Sequence, residues 1–109
     1  MLLFLSLLLL GFPAAAPAHT SIDARACAAQ GGRVRPVCLS GTPMCVVPYR
    51  DAGKRCTGDR QCEGRCILNG APPKNPKAKV LGRCEASNNP CGCYTTVENG
   101  RVARSLCVD

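Results

Sequence analysis

Tryptophan is absent, histidine occurs once, and aromatic residues make up only 4% of the chain. Phe4 and Phe12 both fall in an apolar leader, which leaves Tyr49 and Tyr94 as the aromatic side chains of the remainder. Each scarcity removes a class of function. The lone imidazole, His19, supplies no Ser-His-Asp or Cys-His catalytic set unless it folds back as the base itself. Nor is there the second imidazole that a copper site built on an amino-terminal histidine needs. Two tyrosines make no ladder for stacking bases. The basic residues give a formal net charge of +7, but they are scattered, with no run of five. Nucleic acid is therefore not an expected partner. No segment joins helical length to a basic face opposite a greasy one, which argues against a cationic membrane-active peptide.

The first dozen positions are present in one chemical kind. Leu2 to Phe12 is apolar apart from Ser6 and Gly11, and no Lys or Arg precedes it. A bilayer span needs about 20 such residues, so this run reads as the core of a signal peptide and not as a membrane anchor. Ala16 and Ala18 place small side chains where a signal peptidase requires them. Cleavage is expected between Ala18 and His19, with Ala16/Pro17 as the second choice. The expected product is one small domain, His19 to Asp109, with no transmembrane segment after processing.

That domain holds all ten cysteines: Cys27, Cys38, Cys45, Cys56, Cys62, Cys66, Cys84, Cys91, Cys93 and Cys107. An even count behind an export signal reads as a disulfide framework in an oxidising compartment. Large apolar residues are few, so burial alone leaves such a chain marginal. Each bridge contributes about 2–4 kcal/mol, chiefly by restricting the unfolded chain. The expected fold is small and disulfide-rich, with a short amino-terminal helix, two or three β-hairpins and little core. Ten cysteines allow about 945 pairings, so the count leaves the connectivity open.

Local signals place the elements. Ser21 to Gly31 reads as a short helix with Ser21 as N-cap, Asp23 in the first turn and Gly31 as a left-handed stop. A helix this short does not persist in water unaided, so Cys27 is expected to tie it to the body. Arg33–Leu39 and Met44–Tyr49 read as strands joined by a turn at Ser40-Gly41-Thr42-Pro43. Pro36 and Pro48 belong near an edge or a strand end. Asn69 to Lys79 carries three prolines, three lysines and no large apolar residue, and residues 70–79 form an exposed loop. Asn99-Gly100 marks a hairpin between 93–98 and 101–106, with Glu98 facing Arg101 and Val97 facing Val102. In that register Cys93 and Cys107 lie on opposite faces, and they bond each other only if a bulge intervenes.

The spacing C-x5-C-x3-C at 56–66, closed by Gly82-Arg83-Cys84, resembles small secreted knottin-like and EB-type cysteine modules. That resemblance implies the pairs Cys56–Cys66 and Cys62–Cys84. The longer chain is similar to uncharacterised cysteine-rich exported proteins of Gram-negative bacteria. Ala26-Cys27-Ala28-Ala29-Gln30-Gly31-Gly32, Gly41-Thr42-Pro43-Met44-Cys45-Val46 and Asn89-Pro90-Cys91-Gly92-Cys93 carry the likeness. It implies export and a disulfide scaffold, and no particular activity.

The functional expectation is a secreted or periplasmic, non-enzymatic module without cofactor, monomeric, that binds an extracytoplasmic protein or an anionic surface. A bridged frame can hold a loop stiff and so lower the entropy cost of binding. Lys74, Lys77 and Lys79 are the candidate contact residues, suited to the pocket of a trypsin-like protease. Asp59 and Glu63 read as surface charges, not as a catalytic pair. The alternative uses Cys91-Gly92-Cys93, close enough to clamp a soft metal as thiolates or to exchange with a disulfide.

Overall fold

The computed structural model describes residues 10–14 and 21–109. Most of the expected leader, both candidate cleavage positions and His19 lie outside the described residues. The helix α1 spans Ala24–Ala29. Its N-cap is Asp23 and not Ser21. The Asp23 carboxylate accepts from Arg25 N–H at 2.9 Å and Ala26 N–H at 3.3 Å. A carboxylate satisfies two orphan donors and also suits the positive end of the helix. Gly31 takes φ +80° just beyond the helix, as a left-handed stop requires. Cys27 is buried and bonded to Cys45, which fixes the helix to the body.

Two strands follow, β1 (Arg33–Val37) and β2 (Thr42–Val46), paired antiparallel. Both are shifted from the expected bounds. Cys38 leaves the strand with φ +61° and bonds Cys91 far along the chain. The turn is therefore Cys38–Gly41, closed by Gly41 N–H donating to the Cys38 carbonyl at 3.2 Å. Thr42 and Pro43 join β2, and Pro43 sits opposite Pro36. Neither proline has an N–H to lose, and among the described residues the ribbon has no third strand to disappoint.

The larger sheet comprises β3 (Arg55–Cys56), β4 (Cys66–Leu68), β5 (Gly82–Cys84), β6 (Gly92–Glu98) and β7 (Arg101–Val108). The strand order is β3-β5-β4-β6-β7, with every neighbouring pair antiparallel. A 3-10 turn, Asp59–Gln61, lies between β3 and β4. The core of this sheet is largely sulfur: Cys56, Cys66, Cys84 and Val97 are buried, with Cys62, Leu68 and Val80 packed against them. Gly82 is required where β5 crosses this core. A Cβ there would stand 2.5 Å from Cys66 Sγ and 3.2 Å from Val97 Cγ2.

The β6–β7 hairpin turns at Asn99 and Gly100, with φ +51° and +71°. Glu98 faces Arg101 and Val97 faces Val102, as the sequence predicts. One step further the register shifts, so that Thr96 faces Arg104 and Cys93 faces Cys107. Ala103 is the extra residue of a β-bulge, and Cys93 bonds Cys107 across it.

Five bridges close the frame: Cys27–Cys45, Cys38–Cys91, Cys56–Cys66, Cys62–Cys84 and Cys93–Cys107. The middle pairs are those implied by the likeness to knottin-like modules. The small ribbon and the large sheet meet along Pro48–Asn88. Pro48 bridges Ser87, and Tyr49 N–H donates to the Ala86 carbonyl at 2.9 Å. The half-buried Asn88 side chain accepts from Val47 N–H at 2.8 Å and donates to the Cys45 carbonyl at 3.1 Å. Together with Cys38–Cys91, this clasp fixes one unit on the other. The described residues form a small disulfide-rich β fold with one short helix and three hairpins.

Candidate functional site

The loop between β4 and β5, residues 69–81, stands on an unusually well-secured base. Cys66 and Cys84 face each other across the two strands, and Leu68 faces Gly82. Each cysteine is bonded back to the segment in front of β4, Cys66 to Cys56 and Cys84 to Cys62. Both legs of the loop are thereby bolted to one stretch of chain. The loop is exposed at Lys74, Lys77 and Lys79, while Pro73, Ala78 and Val80 are half-buried beneath it.

Backbone hydrogen bonds order the loop in place of regular structure. Asn75 starts a turn: its side-chain oxygen accepts from Lys77 N–H at 2.9 Å and its carbonyl from Ala78 N–H at 3.1 Å. Such a local turn is the property that places asparagine in loops. Val80 N–H donates to the Gly100 carbonyl at 2.7 Å, and Gly100 N–H donates to the Thr57 carbonyl at 3.0 Å. Arg101 Nε donates to the Lys77 carbonyl at 3.2 Å. The far leg of the loop is thus laid along the β6–β7 turn.

The three lysines are not equivalent. The Lys77 carbonyl is taken by Arg101, and the peptide after Lys79 is pinned to Gly100 through Val80. Among the described residues no hydrogen bond engages Lys74, which sits on the tip before the Asn75 turn. Lys79 instead borders an open groove of about 530 Å³ lined by Thr57, Val80, Leu81, Asn99 and Gly100.

The alternative site comes apart. Cys91 bonds Cys38 and Cys93 bonds Cys107, so the close pair belongs to two separate bridges. Among the described residues no cysteine is free. A clamp of two thiolates or an exchanging dithiol at Cys91-Gly92-Cys93 is not favoured. The sulfurs of Cys56, Cys62 and Cys84 lie within 4.8 Å of one another, but they are the stacked halves of two bridges. A disulfide sulfur lacks the thiolate charge that a soft metal takes.

Asp59 and Glu63 serve the chain itself. The Asp59 carboxylate accepts from Cys66 N–H at 2.8 Å, ahead of the loop. Glu63 accepts from Arg50 N–H at 3.2 Å, while its own N–H donates to Asp51 at 2.8 Å.

One constellation is invisible in the linear sequence. Arg65 and Glu85 form an ion pair at 2.8 Å, with Arg65 Nε donating at 3.0 Å to the same oxygen. The guanidinium carbon lies 4.0 Å from the Tyr94 ring centroid. Burial works to lower the Arg65 pKa, but hydrogen bonding and charge from Glu85, with Tyr94 beside it, prevail and raise it above its ordinary value. The residues come from three separate parts of the sequence, and only the pairing of β4 with β5 and β6 brings them together.

The fold and bridges define a small disulfide-stapled β module of the kind that fits an oxidising, extracytoplasmic setting. No protein-family model, curated protein or solved structure matches the chain. No helix among the described residues is long and apolar enough to cross a membrane.

Proposed function

We propose that the protein is an exported, non-enzymatic inhibitor module that presents Lys74 to a trypsin-like protease outside the cytoplasm. The observation that carries this reading is the contrast at the loop: fixed at both legs by bridges, pinned along one side, and free at Lys74. The lysine enters the acidic specificity pocket. Its carbonyl, which accepts no hydrogen bond among the described residues, is available to the protease's oxyanion hole. Lys77 and Lys79 are unsuited to this role because their backbones are held by Arg101 and Gly100.

If the protease's serine attacks the Lys74 carbonyl carbon, the serine is acylated, the bond to Asn75 breaks and the Asn75 amine is released. Cys62–Cys84 and Cys38–Cys91 both join the chain before this bond to the chain after it. The amine therefore stays beside the acyl-enzyme and can re-form the bond, displacing the protease unaltered. A pre-ordered loop also loses less freedom on binding. The export signal, the secreted or periplasmic location, the monomeric state and the kinship with cysteine-rich exported proteins belong to the same proposal.

The test is a titration of trypsin activity. The oxidised protein should inhibit, Lys74→Ala should abolish inhibition, and Lys77→Ala should leave it unchanged. Equal inhibition by the Lys74→Ala protein would overturn the reading.

A further inference from the structure

Directly opposed residues of antiparallel strands send their side chains to the same face. Arg55 faces Arg83, Arg83 faces Ile67, Ile67 faces Thr96 and Thr96 faces Arg104. One row thus crosses all five strands of the larger sheet. It lies on the face away from the core: the adjacent positions Cys56, Gly82, Cys66 and Val97 are buried, whereas the three arginines are exposed. At about 4.8 Å per strand the row spans about 19 Å.

The row is short of counter-charge. Among the described residues the ion pair is Arg65–Glu85, and none of the three arginines takes part in one. Glu85, two residues beyond Arg83, is held by Arg65. Glu98, two residues beyond Thr96, keeps its charge but faces Arg101 and not a row arginine, and its carboxylate is held by Asp59 N–H at 2.9 Å. Arg83 donates to the Gly53 carbonyl at 3.0 Å, which orients its guanidinium without neutralising it. Like charges directly opposite each other, as at Arg55 and Arg83, destabilise a sheet. Here they are set side by side in a domain with little core to spare.

We infer that this arginine row binds a linear polyanion of the anionic-polysaccharide class, its sulfate or carboxylate groups lying across the strands. Charge complementarity and the straight geometry of the row both favour such a ligand. A lipid surface is less suited, because among the described exposed large apolar side chains Leu81 alone, two residues before Arg83, falls beside the row, while Leu10, Phe12, Ile22, Val34 and Leu39 belong to other segments. A single-stranded nucleic acid lacks a stacking platform, since the neighbouring Tyr94 ring is covered by Arg65. This site is separate from the Lys74 loop, and its success or failure is independent of protease inhibition.

Heparin serves as the probe, with its affinity for the bridged protein measured over a range of NaCl concentrations. Replacing Arg55, Arg83 and Arg104 together by glutamine should weaken binding by about tenfold or more and flatten its dependence on salt, because fewer counterions are released. Replacing Lys74, Lys77 and Lys79 together by glutamine removes the same charge and should leave both quantities near wild type. Circular dichroism and the absence of alkylatable thiols establish that each variant is folded. Equal weakening by the two triple variants would reduce the site to general basicity and overturn the inference. So would unchanged binding by the arginine variant, or tighter arginine-dependent binding to phosphatidylglycerol vesicles or single-stranded DNA than to heparin.

Discussion

Cys93 and Cys107 face each other across β6 and β7 because Ala103 is an extra residue in β7. From the Asn99-Gly100 turn alone the two sulfurs belong on opposite faces of the hairpin. The bulge returns Cys107 to the face of Cys93. Deleting Ala103 should therefore break this bridge selectively. Alkylation under denaturing, non-reducing conditions should label Cys93 and Cys107, with the other eight cysteines protected. Continued protection of all ten would show that the bulge does not set the pairing.

Gly82 has no room for a side chain beside Cys66 and Val97. Gly82→Ala should cost about 1–3 kcal/mol, the usual range for overpacking a filled core. Denaturant unfolding of the oxidised protein measures it. A neutral substitution would mean that the sulfur core is looser than the contacts describe.

Asn88 satisfies a donor and an acceptor on the small ribbon with one side chain. Asn88→Ala should cost about 0.5–1.5 kcal/mol, the net range for losing hydrogen bonds that are only half-buried. The loss should be local. Hydrogen exchange at Val47 N–H should quicken, while the amides of β4 and β5 keep their protection.

Arg65 is tied to Glu85, whose side chain is only 10% exposed. Arg65→Met should destabilise the fold by about 1–3 kcal/mol, because Glu85 loses its charged partner. The pH dependence has a definite sign. A base whose folded pKa is raised gives its full contribution below its unfolded value and loses it only as pH rises through the folded one. For Arg65 the ordinary value already lies far above neutrality, and the shift is upward. Its contribution should be constant from neutral to moderately alkaline pH, and thermal melts over that range check this.

The parts of the fold that were legible in the sequence are those set by neighbouring residues. Asn99-Gly100 determines its own turn, Gly31 its own stop, and the proline- and lysine-rich segment its own exposure. The misplaced features depend on distant partners. Cys38 leaves β1 early to meet Cys91, which moved the expected turn by two residues and recruited Thr42 and Pro43 into β2. The helix cap moved from Ser21 to Asp23 because two residues suited to capping stand close together, and local preference alone does not rank them. At the candidate site, the three lysines are legible as a group. What separates Lys74 from Lys77 and Lys79 is Arg101 and Gly100, which lie on another hairpin.

The bridged loop with Lys74 free at its tip is tested most directly by brief exposure of the native protein to trypsin, read by mass with and without reductant. The first cut should fall between Lys74 and Asn75. The unreduced product should gain the mass of one water and stay in one piece, held by Cys62–Cys84 and Cys38–Cys91, and it should part into two chains on reduction. A first cut at Lys77 or Lys79, or fragments that separate without reductant, would contradict the account.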